Sequence, residues 1–422
     1  MTGPDPSRTP VVIVDRIGYA FYRTPAGTPF LPADRFEVRL VTPLDKLAEA
    51  RGDELSMAVG VPGGDHAGFR EAARMLHAVG GRPAARLVSI TERYLLPAAE
   101  LRAELGLPGM TIEQTLLFRD KVQMKEHLRD RGIRVPDFAP YSWDAARDLL
   151  KRYGAVVLKP RLGAGSADVS VVRRTEELDR FEAERAGDLD EFEVEEFISG
   201  QLYHVDSVID RGRVVAATAG RSIDATTTFQ SGAVFRDVGV APGPVLDELL
   251  RFNMAVAAAH PEFKGVFHHE MFATEDGVCF CEVGARAGGG GIIAGFQSRT
   301  GYNLDEVVVG AQLRDEVPSR IPVADHLTGY TLLYAGPGRV VSMPAPPREP
   351  WVLETQLLAA PGEVLPPPKD WGSAVVIVTV AGDSEAEVTN RLAVVVDQIA
   401  PHIVVERWQG TAAAASGIEG VT

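Results

Sequence analysis

The strongest constraint on the fold lies in the first 118 residues. Four short runs rich in β-branched residues, at 11–14, 36–41, 57–61 and 87–90, are separated by helical or turn-rich stretches, including 68–79 and Glu92–Leu105. Strand and helix signals in alternation indicate βαβ units, and these build a parallel sheet with helices on its faces. Residues 1–118 therefore read as an N-terminal α/β domain. No G-x-G-x-x-G follows the first strand, and VPGGDH at 61–66 has the wrong spacing for that fingerprint. A dinucleotide site is not indicated there.

The pattern changes after Arg119. Asp120 is placed to cap a helix over 121–131, which ends at Gly132 and is followed by Pro136. Residues 155–159 and 169–173 read as strands joined by RLGAGSAD, a β-hairpin with a Gly-rich tip. Further strands are expected at 192–198, 203–209, 214–218, 266–272 and 278–283, with one long helix over 246–260. This gives an α+β region over 119–315, whose small lid part is expected at about 119–190. A third section, 316–409, carries strands at 330–334, 374–380 and 402–405 and an amphipathic helix at Glu385–Ile399, and reads as a small C-terminal α+β domain. The small and polar residues 410–422 read as a flexible tail.

Charge and composition limit the partners. Lys and Arg total 43 against 58 Asp and Glu, and the resulting net charge of −15 opposes wrapping by nucleic acid or docking on anionic lipid. No apolar run approaches the ~20 residues needed to span a bilayer. The first ten residues lack the apolar core of a secretory signal. Two cysteines in 422 residues exclude a disulfide framework. The expectation is a reduced, cytoplasmic protein acting on small molecules, with no nucleic-acid or membrane partner. The sequence is compatible with a homo-oligomer.

Glu270 and Glu282 lie 12 apart on two strands joined by TEDG, a hairpin signal that can set the carboxylates side by side. Strict alternation puts Val278, Phe280, Glu282 and Gly284 on one face and Cys279, Cys281 and Val283 on the other, so both cysteines are expected to face away from the carboxylates. Two carboxylates on one face repel unless a cation holds them, and Mg²⁺ takes one or two carboxylates together with phosphate oxygens. A solvated strand face is the plainer alternative. Lys159 ends an apolar strand just before Gly163, Ala164, Gly165 and Ser166, a loop suited to turning N–H groups and a hydroxyl toward phosphate. EEFISG, from Glu195 to Gly200, offers a strand edge with backbone donor and acceptor beside apolar walls, as an adenine base requires. Arg286 precedes Ala287 and four glycines, Gly288, Gly289, Gly290 and Gly291, where backbone and a helix start can approach an anion.

In this order the motifs resemble the ATP-grasp superfamily of ligases, over roughly 119–310 for the nucleotide site and more weakly over most of the chain. The resemblance implies an ATP-grasp fold and assigns ATP contacts to Lys121 of RDKVQMK, to Lys159, Gly163, Gly165 and Ser166 of KPRLGAGS, and to Glu195, Glu196, Phe197 and Ile198 of EEFISG. There the Glu196 carbonyl and the Ile198 N–H would meet the base. HHEMF and CEVGARAGG would supply Glu270 and Glu282 as ligands of Mg²⁺, for which Mn²⁺ is a substitute. EVGARAGGGGI and the H-x-E of His268–Glu270 look most like the branch of L-amino-acid ligases, dipeptide synthases and carnosine-synthase-like enzymes.

That branch implies activation of a carboxylate by ATP to an acyl phosphate, attack by an amine, and release of ADP and phosphate. Arg286 and His268 are then the catalytic residues, with Gly288, Gly289, Gly290 and Arg221 on the substrate, and Thr226–Thr228, Phe229 and Gln230 are further pocket candidates. The sequence departs from the family twice. Gly284 stands where an Asn often assists a second metal, and Leu202 stands where a Glu commonly takes the ribose, which leaves His204 or Asp206 for that contact. The alternatives are a bicarbonate-activating ATP-grasp carboxylase and a non-catalytic ATP-binding module.

Overall fold

The computed structural model describes residues 7–50, 52–224 and 234–406. The N-terminal sheet is parallel throughout, in the order β3-β2-β1-β4, with β1 at Thr9–Val14, β2 at Phe36–Pro43, β3 at Met57–Val61 and β4 at Arg86–Val88. Helix α1, His66–Ala78, starts where the Asp65 side chain accepts the Gly68 N–H, and it buries Phe69, Ala72, Ala73 and Leu76, one face at helical spacing. Helix α2 spans Glu92–Leu105, as the sequence indicates, and a short α3, Ile112–Leu116, follows it.

The next element is α4, Lys121–Arg129, capped by Asp120, whose carboxylate also holds Arg161 Nη2 at 2.6 Å. A four-stranded antiparallel sheet, β5-β8-β6-β7, is then built from β5 (Phe138–Pro140), β6 (Val156–Pro160), β7 (Ser170–Val172) and β8 (Phe192–Glu196). Helices α5, Trp143–Tyr153, and α6, Thr175–Glu184, share its core of Leu149, Leu158, Phe181 and Val194. This sheet, expected to end near 190, extends to Glu196, because β8 pairs with both β5 and β6.

The large sheet has eight strands in the order β13-β12-β9-β10-β11-β14-β18-β16. Its first part comprises β9 (Gln201–Asp210), β10 (Arg213–Ser222), β11 (Phe235–Gly239), β12 (Lys264–Thr274) and β13 (Gly277–Gly284), with α7 (Pro244–Ala258) behind it. Helices α8, Ile292–Thr300, and α9, Leu304–Arg314, follow. Strand β14 (Leu327–Tyr334) pairs with β11, and beyond β15 (Gly338–Ser342) strands β16 (Val352–Leu357) and β18 (Ala374–Gly382) continue the same sheet. The boundary at 315/316 thus divides the chain but not the sheet. Strand β17 (Val364–Leu365) joins β15 and β19 (Val404–Glu406) in a small third layer, and α10, Glu385–Ile399, packs on β14 and β18. The tail 410–422 lies outside the described residues. No helix among those described is long and apolar enough to cross a membrane, and Cys279 and Cys281 are both free thiols.

Helix α9 fastens the N-terminal sheet to the large one. Arg86 Nε donates to the Leu313 carbonyl (2.9 Å), and the Gln312 side chain exchanges hydrogen bonds with the backbone of Ser89 (3.1 and 2.7 Å). The carboxyl ends of β1 and β4 therefore open toward the large sheet, the end at which parallel sheets bind ligands.

Candidate active site

Glu270 and Glu282 are direct partners in the β12–β13 register, on the face that carries His268 and Phe272. One β-bulge follows at once: the pairing moves from Glu270↔Glu282 to Met271↔Phe280 and leaves Cys281 unpaired. The bulge inverts the alternation expected from the sequence. Phe280 turns to the buried back of the sheet beside His269, with ring centroids 5.5 Å apart, whereas Cys281 lines a cavity with Glu282 and Lys159. The same extra residue sets Cys279 opposite Phe272, on the face of Glu270, so the expectation that both cysteines face away from the carboxylates is corrected, for Cys279 as for Cys281. Burial holds the Cys281 thiol well above the usual range, so at neutral pH it is a neutral wall.

The two glutamates sit where two cavities meet. One, about 510 Å³, runs from Lys121 and Lys159 past Glu196, Phe197 and Ile198 to Phe272. The other, about 310 Å³, is walled by Arg16, Thr91, His204, His268, Arg286 and Asp305. Ala164, Gly165 and Ser166 line both, as do Leu202, Glu270 and Glu282. Gly165, Ser166 and Asp168 have φ of 69°, 58° and 57°, so the loop tip holds two non-glycine residues in the left-handed region, a strain typical of ligand-binding loops. Lys121 reaches this tip, with Nζ donating to the Gly163 carbonyl (2.9 Å) and lying 3.5 Å from Glu282 Oε2.

Lys159 is 5 % exposed and belongs to a buried quartet. Its Nζ is 2.6 Å from Glu195 Oε1 and 3.8 Å from Glu193, while Lys125 Nζ is 2.7 Å from Glu193 and also pairs with Glu195. Burial works against the Lys159 charge, but Glu195 and Glu193 hold its pKa well above normal. It therefore stays a cation beneath the loop. Replacing Lys125 by Met leaves two buried carboxylates to one ammonium, and removing one partner of a buried pair costs about 3–5 kcal/mol. A urea midpoint lowered accordingly is expected, and a loss under ~1 kcal/mol would show that the lid does not depend on the quartet.

The N-terminal sheet supplies a third wall. Asp15, after β1, accepts from Tyr22 Oη and the Ile90 N–H, both at 2.9 Å, and so fixes the segment before α2. Glu92, the first residue of α2, then pairs with both Arg119 and Arg286. Burial alone would raise its pKa, yet Arg286 and Arg119 bring it down to about 2. Arg286 also donates from Nη1 to the Ala287 carbonyl (2.6 Å) and remains on the wall of the smaller cavity.

Residues 118–289 match the sequence family described as an ATP-grasp domain, and the fold agrees. Residues 118–289 are an ATP-grasp domain. The chain is 25 % identical over 304 residues to an L-arginine-specific L-amino acid ligase of Bacillus subtilis, covering 67 % of this chain and 71 % of that one. The crystal structure of an L-amino acid ligase from Bacillus licheniformis superposes with a TM-score of 0.73 at 18 % identity, over 96 % of this chain and 100 % of that one. The biotin carboxylase domain of a 2-oxoglutarate carboxylase from Hydrogenobacter thermophilus, crystallised with MgADP, ADP and bicarbonate, gives 0.68 at 16 % identity, over 93 % and 90 %.

Within this ATP-grasp site the histidines form a buried chain with acids. His204 Nε2 lies 3.1 Å from Asp237 and its Nδ1 2.6 Å from Asp206, while His268 Nδ1 lies 2.9 Å from Asp206 and its Nε2 3.2 Å from Glu270. Burial disfavours both imidazolium ions. Even so, Asp206 brings His268 up to about 9, and Asp237 with Asp206 holds His204 well above its ordinary value. Burial also opposes ionisation of Glu270, but the His268 hydrogen bond holds its pKa below normal. Gly288 closes against this chain: a Cβ there would lie 2.7 Å from both Asp206 Oδ1 and His268 Nδ1. Gly290 has φ +67° and faces the Tyr330 ring, Gly289 lines the smaller cavity, and α8 begins one residue after Gly291.

The remaining sequence candidates divide. Glu195, Glu196, Phe197 and Ile198 line the larger cavity, and Leu202 stands between the two. His204 shares the Leu202 face but belongs to the smaller cavity, so the sequence's placement of His204 on the ribose gains no support from geometry. Arg221 is not brought to the site. It is in register with Tyr203, on the opposite face from His204, and its Nη2 lies 3.6 Å from Glu385 of α10. Thr226–Thr228, Phe229 and Gln230 lie outside the described residues. Sequence reasoning missed Glu92, Glu193 and Asp305, which lie outside the quoted motifs, and Lys125, which closes RDKVQMK but was given no role there.

Proposed function

We propose that the protein is an ATP-dependent carboxylate–amine ligase that forms an amide between small molecules, amino acids in particular, through an acyl phosphate, with release of ADP and phosphate. The observation that carries this reading is the position of Glu270 and Glu282 at the junction of two cavities, one edged by a hinge strand and lysines, the other by arginines and histidines. ATP occupies the larger cavity, with the hinge on its base and the Gly163–Ser166 loop on its phosphates. Two hard oxygen donors paired in register, with Lys121 as the only ion-pair partner of Glu282 among the described residues, fit Mg²⁺, which when bound would neutralise phosphate charge. Lys121 and Lys159 add fixed positive charge, and Arg286 binds the carboxylate and the oxyanion that develops on it. No covalent nucleophile is required.

The smaller cavity also holds a carboxyl group suited to the amine. Asp305 accepts no hydrogen bond from any described residue, and burial together with Asp15 raises its pKa to about 7 against the pull of Arg286. Above that pH it is ionised and binds an ammonium or takes its proton. In wild type, kcat/KM for the amine should therefore rise as pH increases through 7, and in Asp305→Asn this step should vanish with KM for the amine raised about tenfold. An unchanged amine KM in that variant would remove Asp305 from the reading.

Incubation with ATP, Mg²⁺ and pooled amino acids and other carboxylates, followed by mass spectrometry, tests the function. A condensed product with one ADP and one phosphate per amide is expected. Stoichiometric AMP and pyrophosphate would overturn the acyl-phosphate reading, and bicarbonate-dependent ADP release without an amide would point to a carboxylase.

A further inference from the structure

A cavity of about 560 Å³ lies between α2, α4, the α7–β12 connection and α9, and shares no lining residue with the two cavities of the ATP-grasp site. Its size is that of a small-molecule site. Leu95, Leu117, Phe118 and Phe263 give it an apolar wall. Against that wall stands Arg102, 5 % exposed, whose Nε donates to the Leu87 carbonyl (3.1 Å) and Nη2 to Gln312 Oε1 (2.9 Å). Nη1 has no partner among the described residues.

Arg102 differs from every other buried cation described above in lacking an acid. Lys125 and Lys159 have Glu193 and Glu195, and Arg286 and Arg119 have Glu92, but burial is the only influence on Arg102, bringing its pKa to about 10. A guanidinium withdrawn from water without a counter-charge is costly. The rest of the lining does not supply one: Lys264 takes Asp315 at 2.5 Å, and Glu262 is exposed on the rim. His260 is a second group without its complement. It is 6 % exposed, stacked on His127 at 4.7 Å, and its Nε2 has no hydrogen-bond partner among the described residues.

We propose that this cavity is a binding site for a small carboxylate with an apolar body, its anionic end on Arg102 and its apolar part against Leu95, Leu117, Phe118 and Phe263. The site does not depend on the ligase reading. Hexanoate and its neutral analogue 1-hexanol are the probes, titrated calorimetrically into the full chain. Saturable hexanoate binding is expected, at least about tenfold tighter than hexanol, the difference a charged hydrogen-bond partner supplies.

Arg102→Met should abolish that preference. Ala311→Trp, which fills the cavity from α9 and leaves Arg102 and Arg286 in place, should weaken hexanoate at least tenfold while ATP binding is kept. Equal affinity for the two probes in wild type would overturn the proposal, as would the absence of saturable binding. Unchanged hexanoate binding in both variants would place the probe elsewhere, on the carboxylate subsite by Arg286, and would equally refute it.

Discussion

Glu282→Gln and Glu270→Gln should each lower kcat by about a thousandfold, ~4 kcal/mol, with the fold intact. The side chain keeps its shape and loses the charge that meets the cation and phosphates. The two substitutions should differ in their side effects. Glu282 has Lys121 at 3.5 Å and a largely open surroundings, so Gln is accommodated easily. Glu270 accepts from His268 Nε2, so its replacement also releases one end of the chain through Asp206 to His204 and Asp237. Steady-state rates across a Mg²⁺ titration decide the matter: near-native kcat at saturating Mg²⁺ in either variant would withdraw that residue from the metal.

The parts of this site that could be read from the sequence are those fixed by local pattern. The alternating strand and helix signals of the first 118 residues give the parallel sheet, since one βαβ unit leaves few other arrangements. The hairpin from Glu270 to Glu282 follows from a turn signal between two strands, and the cap at Asp120 from one residue before a helix. What could not be read depends on tertiary pairing. The bulge at Cys281 has no signature in VCFCEVG, yet it reverses the facing of Phe280 and Cys281. Arg221 sits in a polar stretch that looks like a pocket, and only the register with Tyr203 shows that it faces α10. Lys125 and Glu193 are ordinary charged residues on paper, 68 positions apart, and become a buried pair when α4 packs on the lid sheet. The continuity of β14, β18 and β16 with the large sheet is equally a matter of edge pairing, on which strand propensity is silent.

Glu92 is the largest such omission, 194 residues from the arginine it holds. Glu92→Gln should lower kcat/KM by about a hundredfold, since a displacement near 1 Å of a group that meets the transition state costs about that much. Arg286 would keep its bond to the Ala287 carbonyl but lose the carboxylate that sets its direction, and Arg119 would lose the same partner. Stability should fall too. The Glu92 pKa drops from 4.5 unfolded to about 2 folded, a difference of about 3 kcal/mol. The sign follows from a depressed carboxylate: the contribution is present above pH 4.5 and is lost as pH falls toward 2. Wild type should therefore exceed Glu92→Gln by ~3 kcal/mol in denaturant unfolding at pH 7, and the gap should close through that acid window. Arg286→Lys, which cannot reproduce the fork that meets both Glu92 and a substrate carboxylate, should show a comparable loss in kcat/KM. If Glu92→Gln kept kcat/KM within about threefold of wild type while Arg286→Lys did not, Arg286 would be positioned by something other than the N-terminal domain.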